Sequence, residues 1–121
     1  MFRLTAYANR CAVTRMQLRL VDAAHILPVS AQNSTDDVRN GLALSPTYHR
    51  AFDNALIFLD ESLVMRINPA KALQLATLRL EGGLPDFKNY LGKRIHLPPD
   101  KRQWPEPGMI RKANSYRRIA T

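Results

Sequence analysis

The sequence predicts a small α+β fold, with short antiparallel strands flanked by helices. Three observations carry this. A chain of 121 residues suits one modest hydrophobic core and is too short for two. Its 45% hydrophobic and 23% charged content belongs to a soluble globular protein. Short β-like runs alternate with helical segments, one of them opened by Pro46, without internal repeat or low-complexity segment.

The elements follow in chain order. "FRLTAYANR" reads as a short helix with Phe2, Tyr7 and Ala6 on its apolar side. "CAVT" and "LRLVDAAHILPV" read as strands or extended chain, the second ending near Pro28 because proline cannot donate to a ladder. "SAQNSTDDVRNG" is a polar loop rich in residues that bond their own backbone. "LALSPTYHRAFDNA" contains a helix start, with Ser45 as N-cap and Pro46 in the first helical position. "LIFLDESLVMRINP" predicts two short strands about an Asp60-Glu61-Ser62 turn, or one strand running into a turn. "AKALQLATLRLEGG" has helical spacing and stops at Gly82-Gly83. A short "FKNYL" helix, a "KRIHLP" strand, a proline-rich turn and a basic helix from about Glu106 complete the chain.

Composition narrows the function classes. No stretch is apolar enough to span a bilayer, so no membrane partner is expected, and "MFRLTAYANR" lacks the apolar core of a signal peptide. The single Cys11 excludes an intramolecular disulfide and a four-cysteine zinc site. A cytoplasmic, reducing location is the expectation. The net charge of +8 points to a polyanionic partner, since each cation that neutralises a phosphate releases a counterion. Residues 86–121 hold 9 of the 18 Lys and Arg but only 3 of the 10 Asp and Glu, so most of the excess sits in the last third. A solubilising surface is the plain alternative.

Chemistry concentrates between His25 and Asp53. His49 and Asp53 stand four residues apart in the helix after Ser45, one turn apart on one face. An imidazole and a carboxylate so placed can bind one divalent cation side by side. Taken singly, each is more often a surface or half-buried residue. Asn40-Gly41 reads by itself as a turn former.

The order His25, Asn40, His49, Asp53, with "AAHILPVS" and then "NGLALSPTYHRAFD", resembles the His-Asn-His (HNH) endonuclease family. Within it the text is most similar to a restriction-type branch reading A-A-H-I-x-P, N-G-L-x-L and H-x-x-F-D. The resemblance covers about residues 11–60, with "RCAVTR" as the lead-in strand, and extends more loosely into a basic extension at about 84–121. It implies one HNH nuclease domain over 1–121 around a ββα-metal (His-Me finger) core. Such a unit of some forty residues buries little surface alone, so "FRLTAYA" and "KALQLATLRL" are expected to supply the missing core.

The resemblance also implies roles and a partner, double-stranded DNA. His25 would be the general base that takes a proton from the attacking water, a task suited to an imidazole. Asn40 would pin the loop between the strands and hold His25 in orientation. His49 and Asp53 would hold one divalent cation that stabilises charge on a phosphate oxygen and the leaving 3′ oxygen, giving 5′-phosphate and 3′-hydroxyl ends. Mg²⁺ or Mn²⁺ is favoured over Ni²⁺ or Zn²⁺. Many HNH nucleases place an Asp or His ligand immediately before the first histidine; here that residue is Ala24. Asp22, on the same side of an extended strand as Ala24, is a candidate third ligand, the alternative being a surface acid. The sequence is expected to be the catalytic C-terminal part of a longer restriction-type enzyme. The other readings are a non-catalytic DNA-binding module on the same scaffold and an RNA-directed nuclease; a homodimer is a candidate assembly.

Other residues are weighed individually. Cys11 falls where many HNH proteins begin a zinc clasp, but Thr14 holds the partner position, so a buried small hydrophobe is the better reading. His96 reads as structural or surface, and Trp104 as a packing anchor. Arg50 could reach the scissile phosphate or simply coat its helix. Lys93, Arg94, Lys101, Arg102, Arg111, Lys112, Arg117 and Arg118 are the pool of phosphate contacts, which position DNA without reading its sequence.

Overall fold

Strand β1 (Asp22–His25) and strand β2 (Gly41–Leu44) form an antiparallel pair with Asp22 opposite Leu44 and His25 opposite Gly41. The structure, a computed structural model, describes residues 3–120. The expected apolar role of Phe2 lies outside them. One residue beyond β2, Pro46 opens helix α1 (Pro46–Asp53), its fixed φ already suited to a helix. Ser45 occupies the N-cap, but its hydroxyl makes no cap bond; its carbonyl accepts the first helical bond from the His49 amide at 2.8 Å. Tyr48, Ala51 and Phe52 turn inward from α1, while Arg50 and Asp53 remain exposed. The result is a β-β-α unit.

A second sheet has the order β3 (Ile57–Leu59), β4 (Val64–Ile67), β5 (Lys93–Arg94), all antiparallel. The turn between β3 and β4 is the expected one. The Asp60 carboxylate accepts from the Ser62 and Val64 amides at 2.8 and 3.0 Å, closing the loop locally. Ala12 joins the two sheets: its amide donates to Ala43 at 2.7 Å and its carbonyl accepts from His96 at 2.8 Å.

Helix α2 (Pro69–Thr77) is capped by the Asn68 side chain, which accepts from the Ala70 amide at 3.2 Å. Helix α3 (Leu84–Lys88) follows Gly83, whose φ of 85° needs a residue without Cβ. Helix α4 (Pro107–Tyr116) starts at the Glu106 cap, which accepts from the Gly108 and Met109 amides. Ile110 and Ala113 of α4 enter the main core, and the buried Asn114 amide donates to the Leu59 carbonyl at 2.9 Å. Thus α4 is docked on β3.

Several expectations need correction. "CAVT" is a turn, closed by the Arg15 amide on the Cys11 carbonyl at 2.8 Å, so the lead-in strand is absent there. The N-terminal helix is one 3-10 turn, Leu4–Tyr7. "FKNYL" is displaced to Leu84–Lys88, and the "KRIHLP" strand is reduced to Lys93–Arg94. The leucine-rich helix ends at Thr77, short of the glycines, and buries none of its residues. Leu73, Leu78 and Leu80 are 69%, 59% and 65% exposed. The core partner that "KALQLATLRL" was expected to provide is instead α4. Chemical denaturation checks this: Ile110→Ala should cost about 2–5 kcal/mol through a cavity, whereas Leu78→Ala should fall within about 0.5 kcal/mol of the parent.

Candidate active site

Asn40 is the most constrained polar side chain of the β-β-α unit. It is 1% exposed, at the end of a 3-10 turn just before β2. Its side-chain oxygen accepts from the Leu27 amide at 2.8 Å, and its NH₂ donates to the Thr35 carbonyl at 2.9 Å and the Leu27 carbonyl at 3.2 Å. Its backbone carbonyl accepts from the Ile26 amide at 2.9 Å. The long loop between β1 and β2 is therefore tied to the strand ends through one amide, and the residues bonded on its β1 side directly follow His25.

His25 closes β1 with its imidazole largely covered, at 15% exposure. Its Nε2 lies 2.8 Å from a carboxylate oxygen of Asp36 on that loop. The hydrogen bond to His25 is the largest influence on Asp36 and lowers its pKa below the ordinary aspartate value, so Asp36 is ionised at neutral pH. An ionised partner on Nε2 makes that nitrogen the donor and leaves Nδ1 with the lone pair. Reading the sequence missed Asp36. "TDD" offered adjacent acids, and nothing in the pattern separates Asp36, which meets His25, from Asp37, which caps the Arg39 amide at 2.8 Å.

His49 is gripped from two sides. Its Nδ1 stands 2.9 Å from Asp22 at the start of β1, and its Nε2 stands 3.3 Å from Asp53 one turn along α1. The structure thus brings Asp22, His49 and Asp53 together. Two ligands at about 2.1 Å from one cation stand about 3.0 Å apart on an octahedral edge and about 3.4 Å apart on a tetrahedral edge. The separation of Nε2 from the Asp53 oxygen fits that range, so the imidazole and carboxylate suit a shared cation. The two ring nitrogens diverge, so Asp22 on Nδ1 cannot share the cation of Nε2. Among the described residues no group of three or more His, Cys, Asp or Glu side chains is arranged to hold a metal.

Arg117 was merely one cation of a pool in the sequence, yet it lies beneath the site. Its side chain is 6% exposed. One terminal nitrogen donates to the Ile26 carbonyl at 2.6 Å, the other stands 4.0 Å from Asp53, and the guanidinium lies 4.5 Å over the Phe52 ring. Burial pushes its pKa down, while Asp53 draws it back up.

The remaining basic candidates separate. Arg102 forks onto Asp100, with bonds of 3.1 and 2.9 Å, and Arg111 pairs with Glu61 at 2.6 Å. Arg94 and Lys101 lie 4.8 and 5.5 Å from the centre of the Trp104 ring, whose indole N–H donates to the Pro98 carbonyl at 2.7 Å. Arg50, Lys93, Lys112 and Arg118 are exposed. Cys11 is fully buried and His96 lies at the surface, away from His25 and His49 in the hydrogen-bond network. No described helix is long and apolar enough to cross a membrane.

Comparison with known proteins now bears on this constellation. A family model described as HNH endonuclease matches residues 11–60. Over that segment the chain is similar to the HNH endonuclease family. All four residues of the motif, His25, Asn40, His49 and Asp53, fall within it. A solved structure of a modification-dependent TagI restriction endonuclease superposes with a TM-score of 0.58 at 18% sequence identity, over 93% of this chain and 35% of that one. At that identity the likeness shows the fold, and the HNH chain spans about a third of that enzyme's length. No curated protein matches the sequence.

In this β-β-α unit the Asn40 bonds hold the loop against β1. Asn40→Ala would leave the Leu27 amide and the Thr35 carbonyl without their partner. The expected loss is about 2–4 kcal/mol, from two stranded backbone groups, read as a shift in the denaturation midpoint.

Proposed function

We propose that this chain is a metal-dependent HNH endonuclease module that hydrolyses DNA phosphodiester bonds. The observation that carries the reading is the pairing of two differently dressed histidines on one β-β-α unit. His25 keeps Nδ1 free beside an ionised Asp36, and His49 shares a face with Asp53 at 3.3 Å. The first arrangement suits a base and the second a cation site. The family assignment supports phosphodiester hydrolysis, and the likeness to a structure named a restriction endonuclease supports DNA as substrate. The A-A-H-I-x-P wording around His25 favours a restriction-type branch. Matching 35% of that chain accords with a catalytic part carried by a longer enzyme.

In this mechanism His25 Nδ1 accepts a proton from water while Nε2–H remains donated to Asp36, which fixes the tautomer and steadies the imidazolium that forms. The oxygen of that water attacks phosphorus and the bond to the 3′ oxygen breaks; the departing oxygen takes a proton from solvent water, leaving a 5′-phosphate and a 3′-hydroxyl. His49 and Asp53 would hold a divalent cation, Mg²⁺ or Mn²⁺ by preference, which would supply charge stabilisation for the phosphate and the departing oxygen. Asp22 accepts from His49 Nδ1 and so directs Nε2 outward, as carboxylates behind metal-binding histidines do. We therefore assign Asp22 an orienting role rather than the third-ligand role the sequence suggested. Arg50, Lys93 and Lys112 are exposed and serve here as phosphate-contact candidates, whereas Arg102 and Arg111 would first have to leave Asp100 and Glu61.

Plasmid nicking by the purified chain, with EDTA or with Mg²⁺, Mn²⁺, Ni²⁺ or Zn²⁺, tests the activity. Nicking should require a metal and disappear in His25→Ala, while calorimetric Mn²⁺ affinity stays at the parent value. Cleavage retained in His25→Ala would remove His25 as the base. Salt-sensitive DNA retention without nicking under any metal would favour a binding module on this scaffold. In the same calorimetry, His49→Ala and Asp53→Ala should lower Mn²⁺ affinity at least about tenfold, and Asp22→Asn by about tenfold; an unchanged affinity in Asp53→Ala would move the cation elsewhere.

A further inference from the structure

Arg117 presents an unusual combination of burial and incomplete pairing. Its Nε and one terminal nitrogen are buried without a hydrogen-bond partner, the nearest anion being Asp53 at 4.0 Å. Burying a guanidinium is expensive unless it is paired and bonded, and unsatisfied buried donors are rare enough to need a reason. A protein that needed only a packing residue here would gain by using methionine or leucine.

We propose that Arg117 is a positioning residue that fixes the Asp53 carboxylate and ties the metal-ligand helix to the strand of the catalytic base. The inference rests on Asp53 being a metal ligand, as argued above. The two carboxylate oxygens of Asp53 have different neighbours: one faces Arg117 and the other faces His49 Nε2 at 3.3 Å. A cation on one side of a carboxylate biases its rotation, so the opposite oxygen stays turned toward the imidazole. The same guanidinium donates to the carbonyl of Ile26, the residue after His25. One rigid fork therefore spans from the residue that follows β1 to α1.

Its delivery is built into the fold. Arg117 is the C-cap of α4. Arg118 then adopts φ 58°, and the Arg118 and Ile119 amides return to the Ser115 and Asn114 carbonyls at 3.0 and 2.9 Å. This double bond pattern locks the helix end. Asn114, one turn earlier, anchors α4 to β3 at the Leu59 carbonyl. Inaccessible and committed to these partners, Arg117 does not belong to the phosphate-contacting pool in which the sequence placed it.

The test is calorimetric Mn²⁺ affinity in a double-mutant cycle, with thermal melts to establish folding. Arg117→Met keeps the stem over Phe52 and removes charge and donors. It should weaken Mn²⁺ affinity by about tenfold, and Arg117→Lys, which restores the charge, should recover part of that loss. In an Asp53→Asn background, the further change on Arg117→Met should fall below about twofold, because the effect acts through the carboxylate. A merely structural role would lower the melting temperature but leave the affinity of the folded fraction unmoved. Should Arg117→Met fail to give a cooperative melt, Arg117→Lys carries the cycle, with a smaller loss that again vanishes in Asp53→Asn. Parent-like Mn²⁺ affinity in a folded Arg117→Met, or an equal loss in both backgrounds, would overturn the proposal. Failure of the underlying reading looks different: Asp53→Asn alone would then leave Mn²⁺ affinity unchanged.

Discussion

The buried amide of Asn40 is the constraint on which the site depends. A loop as polar as residues 30–40 gains little from burial and would cost entropy to hold in one shape. The Asn40 side chain offsets that cost by satisfying the Leu27 amide before the loop and the Thr35 carbonyl within it. With the loop fixed, Asp36 is carried to His25, and with the strand ends fixed, β2 feeds through Ser45 directly into α1. His25 and the helix bearing His49 thus inherit their relative placement from the one buried side chain of Asn40.

A second layer of control comes from carboxylates behind histidines. Asp36 on His25 and Asp22 on His49 each occupy one ring nitrogen and so decide which nitrogen faces outward. Two chemically identical imidazoles acquire different surroundings from the position of the carboxylate and from what stands at the other nitrogen. Arg117 extends the same logic to Asp53 from the far side, across more than sixty residues of sequence.

Legibility followed sequence distance. The His49–Asp53 pair lies within one helical turn, and the Ser45-Pro46 start fixes that helix, so its spacing could be read directly. The resemblance carried Asn40 and His25, and the Asp60 turn and the helix start near Glu106 were local enough to see. Asp36 was invisible because two adjacent acids compete for one histidine, and which one faces it depends on the Asn40 bonds. Arg117 was hidden among similar cations, since burial of a charged residue is decided by tertiary packing rather than by its neighbours in the chain. The leucines of α2 misled for the same reason: helical spacing shows that a face is apolar, while a partner has to arrive before the face is buried.

The central claim, that His49 and Asp53 hold the cation while Asp22 directs the imidazole from behind, is open to a direct measurement. Crystals of the chain soaked in Mn²⁺ and recorded at the manganese absorption edge would locate the ion by its anomalous signal. The account predicts one strong peak within about 2.0–2.3 Å of His49 Nε2 and an Asp53 oxygen, with Asp22 still bonded to Nδ1. A peak ligated by Asp22, or one remote from His49 altogether, would contradict it.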